Sequence, residues 1–182
     1  MSAAPALNSR TIVLVGLMGS GKSSIGRRLA AALEMPFVDA DAEVETAAGQ
    51  TIPEIFAELG EPAFRDGERR VIARLLDDPP HVLATGGGAF VNDETRALIL
   101  NKGISVWLKA DLDVLVRRVA RKNNRPLLAG KDPAQVLGEL AQLRYPFYAQ
   151  ANVTVETGDT QHKAAVDAVI EALTGHLSEK SA

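Results

Sequence analysis

Three groups of residues in this chain have the types and spacing to do chemistry. Gly16-Leu-Met-Gly-Ser-Gly21-Lys22-Ser23 satisfies G-x-x-x-x-G-K-[ST] in full. Glycines at 16, 19 and 21 let the backbone turn tightly and aim its N–H groups at phosphate oxygens. A helix starting near Lys22 adds the partial positive charge of its N-terminus. Lys22 can reach β- and γ-phosphates, and the Ser23 hydroxyl is placed to ligate Mg²⁺. The second group is Asp39 and Asp41, which end the run Phe37-Val-Asp-Ala-Asp. On an extended backbone they point to the same side. One can hold Mg²⁺ through water while the other accepts a hydrogen bond from an acceptor hydroxyl. The alternative is that Asp41 caps the following helix, and the two roles can coexist.

The third group is dispersed. Arg65 stands four residues after Glu61 and three before Glu68; taken alone, this is a solvated helix face with weak ion pairs. Gly86-Gly87-Gly88 is either a flexible turn or a place where backbone N–H groups approach a ligand closely. Arg144, in Leu143-Arg-Tyr-Pro-Phe-Tyr148, is either a helix-surface arginine or an anion ligand. Between Arg117 and Lys131 there are six Lys/Arg residues (117, 118, 121, 122, 125 and 131) and no acid. A nucleic-acid patch would want interleaved aromatics, which are missing. A basic loop closing over triphosphate accounts for the same charges and for the Arg125-Pro126 turn. Histidines 81, 162 and 176 lack metal-ligand spacing and read as surface or strand-end residues.

The elements that must position these residues alternate along the chain. Thr11–Val15, Phe37–Asp39, His81–Thr85, Ile104–Leu108 and Asn152–Val155 read as strands, the first of them buried on both faces. Helices are expected at Lys22–Leu33, Ala42–Ala48, Glu61–Leu76, from Asn92 or Asp93 towards Asn101, Asp111–Ala120, Asp132–Ala149 broken at Pro146, and Ala164–Leu177. Ile52–Leu59 lies between two of them without an assignment. This alternation predicts an α/β domain with a parallel sheet covered on both faces. Residues 1–9 and 178–182 are expected to be flexible tails.

Composition narrows the class. At 182 residues the chain suits a single domain, 1–182. With 46% hydrophobic and 24% charged residues, disorder and fibrous repeats are excluded. With no cysteine there is no thiolate metal site, disulfide or cysteine nucleophile. A net charge of −3 argues against a general nucleic-acid or anionic-membrane binder. No apolar run is long enough to span a membrane, and Met1–Arg10 does not read as a signal peptide. A cytoplasmic protein, working as a monomer, is the expectation.

A phosphate loop alone does not separate a GTPase, an ATPase module and a small-molecule kinase. Asn101-Lys102-Gly103-Ile104 begins like the base-reading N-K-x-D of a GTPase but carries Ile in place of the carboxylate. The strand at 81–85 ends in glycines rather than in the acid of a mechanical ATPase. The strand that ends in acids is Phe37–Asp39, which puts carboxylates at the carboxyl edge of the sheet, where open α/β folds bind ligands.

Taken together, Gly16–Ser23, Asp39-Ala-Asp41, Phe64-Arg65 with Glu68, Gly86–Gly88, Arg125-Pro-Leu-Leu128 and Leu143–Tyr148 closely resemble the shikimate kinase family of P-loop kinases, over about residues 11–172. The resemblance implies a three-layer fold with a five-stranded parallel sheet of order 2-3-1-4-5, a lid at about 120–132 and a substrate-binding subdomain at about 41–70. It implies transfer of the ATP γ-phosphoryl group to the 3-hydroxyl of shikimate, with Mg²⁺. Carried over by position, Gly19, Ser20, Gly21, Lys22, Ser23 and Ser24 cradle ATP, Ser23 holds Mg²⁺, and Asp39 holds a metal-bound water. Asp41, Arg65, Gly87 and Arg144 bind shikimate in a pocket shaped by Gly86 and Gly88. Lys22, Asp41 and the lid's Arg125 are the catalytic set, while Arg118 and Pro126 lie near the nucleotide. Where relatives often place an arginine beside adenine, this chain has Thr160-Gln161-His162, and Gln161 contributes through its backbone. The nearest rivals are a kinase for another hydroxylated acid, such as gluconate, and a nucleotide-binding module without transfer activity.

Overall fold

Short β-branched runs bounded by glycine, proline or acids form the strands β1 (Thr11–Val15), β2 (Phe37–Asp39), β3 (Val82–Ala84), β4 (Gly103–Ala110) and β5 (Val153–Thr157). In the computed structural model, which describes residues 7–121, 128, 130–159 and 161–182, they make one five-stranded sheet of order β2-β3-β1-β4-β5. Every pairing is parallel, with Val13 opposite Leu83 on one side and Ser105 on the other. This is the predicted order. The chain leaves β1 towards β2, returns through β3 and then crosses to β4, so β1 lies at the switch point of the sheet. Its carboxyl end opens into a crevice.

The helices are α1 (Lys22–Ala32), α2 (Ala40–Ala48), α3 (Ile52–Leu59), α4 (Glu61–Asp77), α5 (Asp93–Lys102), α6 (Leu112–Ala120), α7 (Pro133–Tyr148) and α8 (His162–Ser181). Because side chains alternate along a strand, β1 feeds two separate cores. Ile12 and Leu14 pack with Ile25 and Leu29 of α1 and Val166, Val169 and Leu173 of α8. Val13 and Val15 pack with Phe64, Ile72 and Leu75 of α4, Leu115 of α6 and Tyr148 of α7. The three layers follow from that alternation.

Several boundaries differ from the sequence expectation. Ile52–Leu59 is a helix, started by a capping box in which Thr51 accepts from the Glu54 N–H and Glu54 accepts from the Thr51 N–H. Pro146 does not break α7. It sits in the last turn, where its missing N–H costs one bond, and Ala149 N–H still donates to the Tyr145 carbonyl. The closing helix runs on to Ser181, so residues 178–181 are helical where a tail was expected. Leu7, also within an expected tail, is buried in the α1/α8 core.

Candidate active site

The phosphate loop connects β1 to α1 at the crevice. Gly16, Gly19 and Gly21 have φ of +148°, +83° and +96°, a region that L side chains rarely adopt. Lys22 Nζ donates to the Gly16 and Leu17 carbonyls at 2.7 and 2.9 Å, which holds the ammonium beneath the loop. Gly19, Gly21, Lys22, Ser23 and Ser24 line a cavity of about 360 Å³. Ser20 does not line it. Its side chain is buried behind the loop, and its N–H donates to the Leu17 carbonyl.

The two aspartates are not a pair on one extended strand. Asp39 ends β2 and is the N-cap of α2, its Oδ1 accepting from the N–H groups of Asp41 (2.9 Å) and Ala42 (3.3 Å). The helix therefore starts two residues earlier than the sequence suggested, and Asp41 lies in its first turn rather than at the cap. Asp39 Oδ2 accepts a 3.2 Å hydrogen bond from the Ser23 hydroxyl. Both carboxylates still face the same cavity. Burial raises the Asp41 pKa, and repulsion from Asp39 adds to the rise, while Lys22 and Arg65 oppose it.

Gly86–Gly88 leaves β3 at the same edge, and every residue of the triplet is pressed by a charged side chain. A Cβ on Gly86 would stand 2.9 Å from Asp41 Oδ1 and 3.1 Å from Glu68 Oε2. One on Gly87 would meet Arg144 Nη1 at 2.8 Å, and one on Gly88 would meet Arg65 Cζ at 2.5 Å. Asp41, Glu68, Arg65 and Arg144 thus converge on one short stretch of backbone. Arg65 is not on a solvated face: it donates to Glu68 at 3.0 Å, and the Glu68 side chain is only 3% exposed. Its contact with the more exposed Glu61 is longer, 3.4 Å. Arg144 is likewise no surface arginine, being 9% exposed. Burial raises the Glu68 pKa against the pull of Arg65, and the buried Glu68 Oε2 has no hydrogen-bond partner among the described residues.

The far rim of the cavity carries Arg118, Arg121 and His162. Arg118 donates to the Gly19 carbonyl at 3.0 Å and to the Gly158 carbonyl at 2.8 Å, joining the loop to the end of β5. Gln161 is the N-cap residue of α8 and makes no side-chain cap bond; the neighbouring His162 is exposed, as a surface residue should be, and stands on the cavity rim. Arg125 and Pro126 lie outside the described residues. Arg121 belongs to the basic stretch expected to close over triphosphate, whereas sequence reasoning does not mark His162 as a cavity residue and gives Glu68 no separate role. For Glu68 a signal existed in its three-residue spacing from Arg65, but burial is what turns that spacing into a built site.

The donor set fits Mg²⁺. A hydroxyl (Ser23) and a carboxylate oxygen (Asp39 Oδ2) lie 3.2 Å apart beside the phosphate loop. Such a sparse set of hard oxygen donors suits an ion that keeps most of its shell as water and phosphate.

Comparison with known proteins agrees with this geometry. A family model described as shikimate kinase matches residues 18–174. The chain is 73% identical over 167 residues to a shikimate kinase of Caulobacter vibrioides, covering 92% of this chain and 84% of that protein. It is 57% identical over 177 residues to a shikimate kinase of Bradyrhizobium diazoefficiens, covering 97% and 86%. Among solved structures, shikimate kinase from Acinetobacter baumannii in complex with shikimate superposes with a TM-score of 0.88 at 39% identity, covering 97% and 98% of the two chains.

Proposed function

The chain belongs to the shikimate kinase family, and on that premise we propose how its residues divide the work of the reaction. The enzyme uses ATP to phosphorylate shikimate, a step of aromatic biosynthesis. The observation that carries the assignment of residues is the position of Asp41. It lines the cavity of the phosphate loop and also touches the glycine triplet where both arginines converge.

In the proposed mechanism the backbone of Gly19–Ser24, the α1 N-terminus and Lys22 bind the triphosphate. Arg65 and Arg144 grip the shikimate carboxylate with charge-assisted hydrogen bonds. Asp41 accepts the hydrogen bond of the 3-hydroxyl and takes its proton as the new P–O bond forms. The bond from the γ-phosphorus to the bridging oxygen breaks, leaving ADP. The raised pKa of Asp41 suits this proton transfer better than an ordinary carboxylate would. Glu68 holds Arg65 in place. Ser23 and, through water, Asp39 would hold Mg²⁺, which would supply charge neutralisation for phosphoryl transfer. Arg118, Arg121 and His162 border the nucleotide. The lid assigned to about 120–132, with Arg125 and Pro126, follows from the family resemblance, as does the acceptor subdomain at about 41–70.

We further propose that the enzyme acts as a cytoplasmic monomer. Among the described residues no helix is long and apolar enough to cross a membrane. A coupled ADP-release assay over shikimate, gluconate and other hydroxylated acids, with ATP and Mg²⁺, tests the acceptor. Shikimate should be preferred; equal or better turnover of gluconate would defeat the assignment.

A further inference from the structure

Tyr148 is fully buried, and among the described residues it heads the largest such side chains. Its ring packs against Trp107 of β4 (centroids 5.7 Å apart) and Tyr145 (6.3 Å). A phenylalanine would fill that space equally well, so packing does not explain the hydroxyl. A buried tyrosine O–H normally has a polar partner, and this one donates to the main-chain carbonyl of Gly87. Arg144 lies one helical turn earlier on α7, on the same face. Its Nη1 lies 2.8 Å from where a Gly87 Cβ would stand, so Arg144 and the Tyr148 hydroxyl meet at the same residue of the glycine triplet.

We propose that Tyr148 is a positioning residue for acceptor binding, its hydroxyl fixing the Gly87 backbone against which the Arg144 guanidinium lies. Held in that place, the guanidinium keeps its N–H donors for the acceptor carboxylate. The chain of contacts runs from the Tyr148 O–H to the Gly87 carbonyl and from the Gly87 backbone to the Arg144 guanidinium. Burial pushes the Tyr148 pKa up to about 12, so the hydroxyl keeps its proton for Gly87 throughout the working pH range. The inference rests on the assignment of Arg144 to the shikimate carboxylate.

The test is Tyr148→Phe in the full chain, alone and combined with Arg144→Ala, with KM measured for both substrates. The loss of the hydrogen bond that fixes Gly87 should raise the KM for shikimate about 3- to 10-fold. The KM for ATP should move by less than about twofold. In the Arg144→Ala background, adding Tyr148→Phe should change the shikimate KM by less than about twofold, because the residue acts through Arg144. Three results overturn the inference: an unchanged shikimate KM, equal shifts for both substrates, or effects that simply multiply in the double variant. Unfolding of Tyr148→Phe at the assay temperature also overturns it, by making the hydroxyl structural. If Arg144→Ala alone leaves the shikimate KM unchanged, the Arg144 assignment fails first and the inference falls with it.

Discussion

In the phosphate loop Gly16, Gly19 and Gly21 all take positive φ, whereas Gly86, Gly87 and Gly88 do not. The first three are required by backbone conformation; any side chain there is strained whatever the surrounding space. The second three have backbones most residues could adopt, and are required because charged groups of other elements stand where a Cβ would be. The half of the site assigned above to the nucleotide is thus built from the chain's own local shape. The half proposed for the acceptor is built from side chains of α2, α4 and α7 that meet only in the folded protein. Damage to either half should therefore differ in kind.

The largest effects are expected where both halves touch the reacting atoms. Lys22→Ala and Asp41→Asn should each lower kcat by about 10²- to 10⁴-fold. Asp41→Asn should nevertheless be at least as stable as the parent at neutral pH, since ionised Asp41 is a buried carboxylate with a raised pKa. Thermal unfolding of the variant at pH 7 checks this, and a marked fall in its midpoint would contradict the electrostatic account of the site.

Next comes Arg65→Ala, which should raise the KM for shikimate about 10- to 100-fold through loss of a charge-assisted contact. The KM for ATP should stay nearly constant. Steady-state kinetics in both substrates separate the two halves, and an ATP-side defect would break the division drawn above.

The glycine contrast can be tested directly. Gly21→Ala, at φ +96°, should cost about 1–2 kcal/mol of stability and weaken ATP binding. Gly88→Ala should leave stability within about 1 kcal/mol, because the flexible Arg65 side chain can move aside. It should raise the shikimate KM instead. Denaturant melts paired with kinetics would show whether the two substitutions fail in these different ways.

A smaller effect concerns pH. In the proposed mechanism Asp41 must be ionised to accept the hydroxyl proton, so activity should fall as pH drops through its pKa. Burial and Asp39 raise that pKa above 3.8, so the acid limb of kcat/KM should lie above the ordinary aspartate range. The stability contribution has the opposite sense. A raised folded-state pKa favours the native state at low pH, and that advantage is lost as pH rises from the unfolded value through the folded one. Glu68, raised from 4.5 chiefly by burial, behaves in the same way. The smallest expected change is Thr51→Ala, which removes the α3 cap outside the site. It should cost about 1 kcal/mol and leave both KM values unchanged, as melts and kinetics would register.

Much of this was legible in advance because the responsible forces are local. β1 and β2 were readable to the residue, since a β-branched run between breakers has few alternatives. Helix starts were less readable. Asp39 and Asp41 are both acceptable caps, and only the backbone shows that Asp39 takes the role while also meeting Ser23. Ile52–Leu59 went unassigned because a short apolar run fits a strand or a helix equally. Arg65 looked solvated because spacing along a helix reveals partners but not depth. His162 had no motif around it, and its place on the cavity rim depends on where α8 begins relative to α6.

The sequence alone determined the phosphate loop, the parallel sheet order through its family resemblance, and the acids at the edge of β2. Local backbone preferences and hydrophobic alternation act over a few residues and are written directly into the chain. Only the tertiary structure decided that Glu68 and Arg144 are buried, that the glycine triplet is a meeting place for four charged side chains, and that Tyr148 reaches back to Gly87. Those facts concern distances between residues far apart in the chain, set by the packing of α4 and α7 against one sheet edge, and short-range preference carries no information about them.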